Sequence, residues 1–218
     1  MRVATIILAA GSSTRLGEPK QLLRKEGMTL VRHMAEIALS LYVGPVIVVL
    51  GANREAVGQE LAGLPLTTTI NTNWAEGLAS SLRVGLAALP DGEPPVDAFL
   101  ILLTDQPHVT TDLLRQLIDK RRETSRGIVA SRYHTGGPAE PAHSGRSAGA
   151  VPALFDIRYK PEFMTFTGDV GARKLIRRYP DDCAEVPFPL GAVDLDTPQD
   201  VAAWLENGTG VVRHSVPL

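Results

Sequence analysis

The sequence predicts an α/β domain in three layers, a mostly parallel, mixed sheet covered by helices on both faces. Short runs that are apolar at consecutive positions and rich in β-branched residues recur along the chain, as strands buried on both faces require. Segments of helical periodicity separate them. With 218 residues the chain is long enough for one large domain that buries roughly 70% of its unfolded surface without disulfide support.

In chain order, Val3 to Ala9 reads as the first strand and opens onto a loop of Gly, Ser and Thr. A helix follows, with Thr29 as N-cap and Leu30, Val31, Met34, Ile37, Ala38 and Leu41 on one face. Val46 to Leu50 is the second strand, and Asn53 after it caps a helix through Leu61 or touches ribose or base. Thr67 to Ile70 and Phe99 to Leu103 are further strands, and Leu113, Leu114, Leu117 and Ile118 mark another helix. The Lys120-Arg121-Arg122 run reads as the solvated side of that helix. Residues 133–150 break the rhythm with Gly136, Gly137, Pro138, Pro141, Gly145 and Gly149, and read as a loop. A helix from Gly168 to Tyr179 is expected with Asp169 as its cap and as a candidate acceptor-side residue, and a last helix from Pro198 to about Glu206. Residues 1–206 therefore form one domain, and 207–218 a loosely held tail.

Composition narrows the function. Lys plus Arg number 22 against 24 Asp plus Glu, a net charge of -2, which disfavours a nucleic-acid partner held by phosphate neutralisation. No apolar run approaches the ~18 residues that cross a bilayer, and Met1-Arg2 with the apolar run after it is too short for a secretory signal. The single cysteine, Cys183, excludes an internal disulfide and a cysteine-only metal cage, and fits a reducing cytoplasm. The Asn207-Gly208-Thr209 sequon is accordingly expected to be idle. His134 and His143 have no carboxylate or cysteine at ligand spacing, and His33 and His108 read as structural.

The chemistry sits at strand ends. Leu8-Ala9-Ala10-Gly11-Ser12-Ser13-Thr14-Arg15-Leu16-Gly17, followed by Glu18-Pro19-Lys20, can surround phosphate oxygens with backbone N–H groups, while Arg15 and Lys20 supply positive charge. Gly11 and Gly17 have five residues between them, no Gly-Lys-Ser/Thr follows, and no GxGxxG is present, so neither a P-loop nor a dinucleotide fingerprint fits. By itself the segment equally fits a surface loop with two unrelated cations. Asp105 tips the reading: it ends the run Phe99 to Leu103 where an open α/β sheet places its ligands. Asp196, in Asp194-Leu195-Asp196-Thr197-Pro198, is a second carboxylate, and two carboxylates with phosphate oxygens suit Mg²⁺. Asp105 also fits a turn cap, Asp196 a helix cap compatible with metal binding, and Asp194 and Asp200 read as surface or capping residues.

These motifs resemble, in order and over about Val3 to Leu205, the molybdenum-cofactor nucleotidylyltransferases. The loop through Lys20 resembles that family's nucleotide loop, and Asp105-Gln106-Pro107 its metal-binding turn. Asn73-Trp-Ala-Glu-Gly-Leu-Ala-Ser-Ser-Leu82, Gly168-Asp-Val-Gly-Ala-Arg173 and Asp194-Leu-Asp-Thr-Pro198 are similar to its other segments. The resemblance implies a Rossmann-like nucleotide-diphospho-sugar transferase fold, a nucleoside triphosphate bound with Mg²⁺, attack of an acceptor phosphate on the α-phosphorus, and release of pyrophosphate. Asn73, Ser80 and Ser81 would read the base; the alternative for the serines is a helix start packed on the sheet. Ala9-Ala10-Gly11 is similar to the cytidylyl-transferring branch, the guanylyl branch carrying Ala-Gly-Gly, so CTP is favoured over GTP. Where relatives carry an Arg-Gly-Asn-Pro-like acceptor turn, this chain has Arg146-Ser-Ala-Gly-Ala-Val-Pro152.

The expectation is a cytoplasmic Mg²⁺-dependent nucleotidyltransferase acting on molybdopterin, partnered with a molybdoenzyme or its chaperone, without nucleic acid or membrane. Leu8 to Ser13 with Asn73, Ser80 and Ser81 would bind nucleotide; Arg15, Lys20 and Asp105 would be catalytic; Asp105 and Asp196 would hold the metal. Lys20→Ala is expected to lower turnover with little effect on folding. The alternatives are a sugar- or polyol-phosphate acceptor, and a non-catalytic nucleotide-binding accessory protein for molybdoenzyme maturation.

Overall fold

A computed structural model describes residues 1–25, 27–133, 149–195 and 197–207. Strand β1, Val3–Ala9, leads through a loop and the small hairpin β2, Arg24–Lys25, and β3, Met28–Thr29, to helix α1, Leu30–Leu39. Then come β4, Val46–Leu50; α2, Arg54–Glu60; β5, Thr67–Ile70; α3, Leu78–Ala87; β6, Ala98–Leu103; and α4, Thr111–Thr124. The chain continues with β7, Ile128–Arg132; β8, Ala150–Asp156; α5, Lys160–Phe163; α6, Arg173–Arg178; β9, Cys183–Pro187; and α7, Pro198–Asn207.

Seven strands form one sheet in the order β5-β4-β1-β6-β8-β7-β9. Every neighbouring pair is parallel except the two made by β8, which runs against both β6 and β7. Alternate side chains of β1 divide between two cores, as a strand's two-residue period demands. Val3, Ile7 and Ala9 join the core under α1, α2 and α4; Ala4, Ile6 and Leu8 join the core under α3, α5 and α6. Continuous burial along β1 and β4 is thus the mark of a sheet sandwiched between helices. Gly85 allows α3 close approach, since a methyl there would lie 2.6 Å from Ile6 Cγ2 and 3.0 Å from Val49 Cγ2.

The four predicted strands and the helices built on Leu30 and Leu113 are present, but several local expectations change. Thr29 and Asn53 occupy N-cap positions without a side-chain cap bond, and the Thr29 hydroxyl donates instead to Glu60 Oε2 at 3.1 Å. Asp169 does not cap a helix: α6 begins only at Arg173 with Ala172 as N-cap, and Gly168 ahead of it takes φ +64°. Arg121 is not solvated like its neighbours but pairs with Asp156 at 2.7 Å, both side chains about one fifth exposed. At α7 the cap is Thr197: its amide donates to Asp200 Oδ2 at 2.8 Å while its Oγ1 accepts from the Asp200 amide at 3.2 Å. Strands β7, β8 and β9 have no counterpart in the sequence reading, and Ala150, placed there at the end of a loop, starts β8. Within the 133–150 segment, residues 134–148, with His134, His143 and Arg146, lie outside the described residues, as do Asp196 and 208–218. Among the described residues no helix is long and apolar enough to cross a membrane.

The core on the α3 side centres on Phe163, fully buried, with ring centroids 5.6 Å from Phe99, 5.0 Å from Phe155 and 5.3 Å from Phe166. Phe163→Ala is expected to cost about 3–5 kcal/mol, because the cavity is walled by other rings that cannot all relax into it. Urea denaturation followed by tryptophan fluorescence measures this.

Candidate active site

From β1 the chain moves outward through β4 to β5, then returns to lay β6 along the other side of β1. That reversal is a topological switch point, and the crevice beyond the carboxyl ends of β1 and β6 is where such sheets bind ligands. Leu8 pairs with Leu103 in register, so the loop after β1 and the loop after β6 emerge side by side. Between them and the start of α3 lies a cleft of about 510 Å³.

The loop after β1 is held by its own backbone and by one serine. Ser13 takes φ +56°, its carbonyl accepts from the amides of Leu16 and Gly17, and its Oγ accepts from the Lys20 amide at 3.0 Å. Gln21, 1% exposed, donates from Nε2 to the carbonyls of Ala9 at 3.1 Å and Gly11 at 2.8 Å. A methyl placed on Gly11 would meet nothing within 4 Å, so this stretch of backbone faces open space. Among the described residues the amides of Gly11, Ser12 and Ser13 have no hydrogen-bond partner. Outward-facing amides of this kind are an anion cradle.

Across the crevice, Asp105 stands at the end of β6, and Lys20 Nζ donates to its Oδ2. Both side chains are mostly buried, 20% and 12% exposed. The other oxygen, Asp105 Oδ1, is buried with no hydrogen-bond partner among the described residues. The Asp105 carbonyl accepts from the Leu195 amide at 3.3 Å, which brings the chain just ahead of α7 to the end of β6. Behind Asp105, Gln106 donates from Nε2 to Tyr133 Oη and to the Val151 carbonyl, which also accepts from the Tyr133 hydroxyl. Burial pushes the Tyr133 phenol up to about 12, the Gln106 hydrogen bond opposes this, and the charge of Asp194 adds to it. Tyr133 is therefore a neutral donor over the whole working pH range.

Among the described residues no three His, Cys, Asp or Glu side chains converge as a ready-made metal cage. A single hard carboxylate with a buried, unpartnered oxygen nevertheless fits a divalent cation whose shell is completed by phosphate oxygens and water, the usual manner of Mg²⁺. Asp105 would hold such an ion; Asp196 lies outside the described residues.

The remaining wall comes from the segment before α3. Gly77 takes φ +109°, and a methyl there would sit 2.5 Å from Asp169 Oδ1 and 2.6 Å from the Gly168 carbonyl carbon. The Ala79 amide donates to Gly168 O at 3.0 Å, so glycine at 77 lets the 168–169 turn close against α3 and places Asp169 on the cleft. Beside it opens a more apolar hollow of about 270 Å³ that shares Leu8, Leu78, Leu103 and Asp169 and reaches Val151 and Arg173.

Of the residues selected from sequence, Leu8, Ala10, Gly11, Ser12, Arg15 and Lys20 line the cleft with Ser81 and Asp105. Ala9, Ser13, Asn73 and Ser80 are not in its lining. Ser80 is buried, its hydroxyl donating toward the carbonyls of Asn73 and Gly77 and accepting from Asn71 Nδ2 at 2.8 Å. Cleft residues that went unselected in the sequence include the polar or aromatic Gln21, Trp74 and Thr104. Asn71 was also missed. It is buried, bonds both Ser80 and Ser81, and accepts the Asn73 amide at 2.9 Å, so it knits the 71–81 segment together. The only available signal was a polar residue directly after the strand Thr67–Ile70.

Residues 5–183 match the family model of the MobA-like NTP transferase domain. The chain is 32% identical over 180 residues to nicotine blue oxidoreductase of Paenarthrobacter nicotinovorans, covering 82% of this chain and 83% of that protein. It is 31% identical over 220 residues to the bifunctional protein GlmU of Clavibacter sepedonicus, covering 98% of this chain but spanning only 43% of GlmU. Among solved structures, Rv0371c of Mycobacterium tuberculosis superposes with a TM-score of 0.75 at 28% identity, over 95% of this chain and 99% of that one. A manganese complex of Rv0371c gives 0.74 at 27% identity, over 95% of this chain and 100% of that one. The sheet order, the crevice between β1 and β6 and the match over residues 5–183 agree: this chain belongs to the MobA-like NTP transferase family and has the nucleotide-diphospho-sugar transferase fold.

Proposed function

We propose that this protein is a cytoplasmic, Mg²⁺-dependent transferase that moves CMP from CTP to a phosphorylated acceptor, molybdopterin, and releases pyrophosphate. One observation carries the reading: the buried carboxylate of Asp105, bonded through one oxygen to Lys20 and without a partner at the other among the described residues, lines one cleft with Gly11 and Ser12, whose amides likewise have none. Anion cradle, mobile cation and metal carboxylate are the parts that nucleotidyl transfer needs.

In this mechanism the amides of Gly11, Ser12 and Ser13 bind the triphosphate, and Arg15 and Lys20 offset charge that grows on the departing pyrophosphate. A divalent ion on Asp105, with Asp196 as the proposed second ligand, supplies charge neutralisation at the phosphates when bound. Lys20, which neutralises Asp105 in the free protein, is then released toward the phosphates. The acceptor phosphate is already an anion, so no general base is needed. Ser81 is the base-side hydroxyl nearest the ligand space, with Asn73 and Ser80 shaping the segment that carries it. The apolar hollow between Leu78 and Arg173 gives an acceptor ring a place beside the α-phosphate, with a cation at its far end. The CTP preference rests on the Ala9-Ala10-Gly11 sequence, of which Ala10 and Gly11 line the cleft.

The name of the Paenarthrobacter relative makes oxidoreduction the second reading. Dithiol chemistry is closed to this chain, which has one cysteine, and burial raises the Cys183 thiol to about 11. Pyrophosphate release assayed with CTP, GTP, ATP and UTP over molybdopterin, sugar phosphates and polyol phosphates separates the readings. Release with CTP and molybdopterin is the expected outcome. Tight triphosphate binding without release for any acceptor would support the accessory role instead.

The Lys20–Asp105 pair changes what Lys20→Ala should do. Its removal leaves a mostly buried carboxylate unpaired, so thermal unfolding in EDTA is expected to reveal a loss of about 1–3 kcal/mol, smaller once Mg²⁺ and CTP are added. Turnover of Lys20→Ala should fall about 10²–10³-fold. Wild-type pyrophosphate release from Lys20→Ala or from Asp105→Ala defeats the assignment.

A further inference from the structure

Gln21 follows Lys20 and lies beneath the loop after β1, on the floor of the cleft. It is 1% exposed, its Nε2 donates to the carbonyls of Ala9 and Gly11, and its Oε1 is buried with no partner among the described residues. A buried polar atom left unsatisfied calls for a compensating task elsewhere in the group. Hydrophobic packing would be served better by Leu or Met at this position, which carry no amide to desolvate.

The task follows from peptide geometry. In a trans peptide the carbonyl oxygen and the amide hydrogen of one unit point in opposite directions. Pinning the Gly11 oxygen toward Gln21 therefore aims the Ser12 N–H away from it, toward the side where Gly11 faces open space. Pinning the Ala9 oxygen orients the Ala10 N–H in the same manner. The Lys20 amide bond to Ser13 Oγ ties the far side of the loop to the same short segment, so Lys20 and the cradle are set relative to each other by adjacent residues. An anion site works by amides that need no reorientation when the ligand arrives.

We infer that Gln21 is a positioning residue for the triphosphate: by holding the Gly11 carbonyl from behind it preorganises the Ser12 amide on the cleft, and it touches no substrate. The inference rests on the transferase reading above. Gln21→Met keeps length and approximate volume and removes the donor. Calorimetric titration with a non-hydrolysable α,β-methylene analogue of CTP and Mg²⁺ gives Kd without turnover, pyrophosphate release gives KM and kcat, and thermal unfolding follows the fold. Kd and KM are expected to rise about tenfold or more. The value of kcat should stay within about threefold, because Lys20 and Asp105 remain. Gln21→Asn, one methylene too short to span both carbonyls, should shift Kd and KM in the same direction, and it decides the matter if Gln21→Met does not fold. Wild-type Kd and KM in a folded variant overturn the inference and leave Gln21 a space-filling amide. A wild-type protein that binds no triphosphate overturns the transferase reading instead.

Discussion

Lys20 and Asp105 meet across 85 residues of sequence, and the site has its form because they do. The contact requires β1 and β6 to be neighbours, which in turn requires the chain to run outward to β5 and come back. A sheet wound in one direction would leave no crevice between those strands. The register of Leu8 with Leu103 then sets the two loops level, and the buried position of both charges makes each the other's chief neutralising partner in the free protein. In the proposed function, a ligand that brings anionic phosphates and a cation would exchange that internal pairing for an external one. The pair keeps two mostly desolvated charges tolerable in the protein alone.

Most of the half of the fold that builds the cleft could be read from the residues. Val3 to Ala9 and Val46 to Leu50 are unbroken apolar runs because helices cover both sides of them, and Leu113, Leu114, Leu117 and Ile118 repeat at helical spacing. The second half was less legible for physical reasons. Strand β9 sits at a sheet edge and is only partly buried, so Cys183–Pro187 lacks a continuous apolar signature. Strand β8 carries Pro152 and follows a Gly- and Pro-rich stretch, while β7 is five residues long and ends in Ser131 and Arg132.

The site divides in the same manner. Gly11, Lys20 and Asp105 announce themselves by residue type at or just after a strand end, and all three line the cleft. Gln21 and Asn71 do not, since their partners are backbone carbonyls, amides and hydroxyls that come together only on folding. Asp169 misled for a related reason: Asp before a helical stretch is a normal capping signal, but Gly77 lets the 168–169 turn press on α3, and the helix starts four residues later at Arg173.

Helix α7 is fastened differently from the other helices. Leu195 and Trp204 rest on Leu30 in a cluster of three buried side chains, separate from both large cores. So small a clasp opens at a lower free energy than the sheet does. Leu195 also donates to the Asp105 carbonyl, so this clasp is bonded directly to the end of β6. Loss of the Leu30–Leu195–Trp204 contacts would therefore remove a hydrogen bond from the cleft's edge, though among the described residues α7 itself supplies no side chain to the cleft lining.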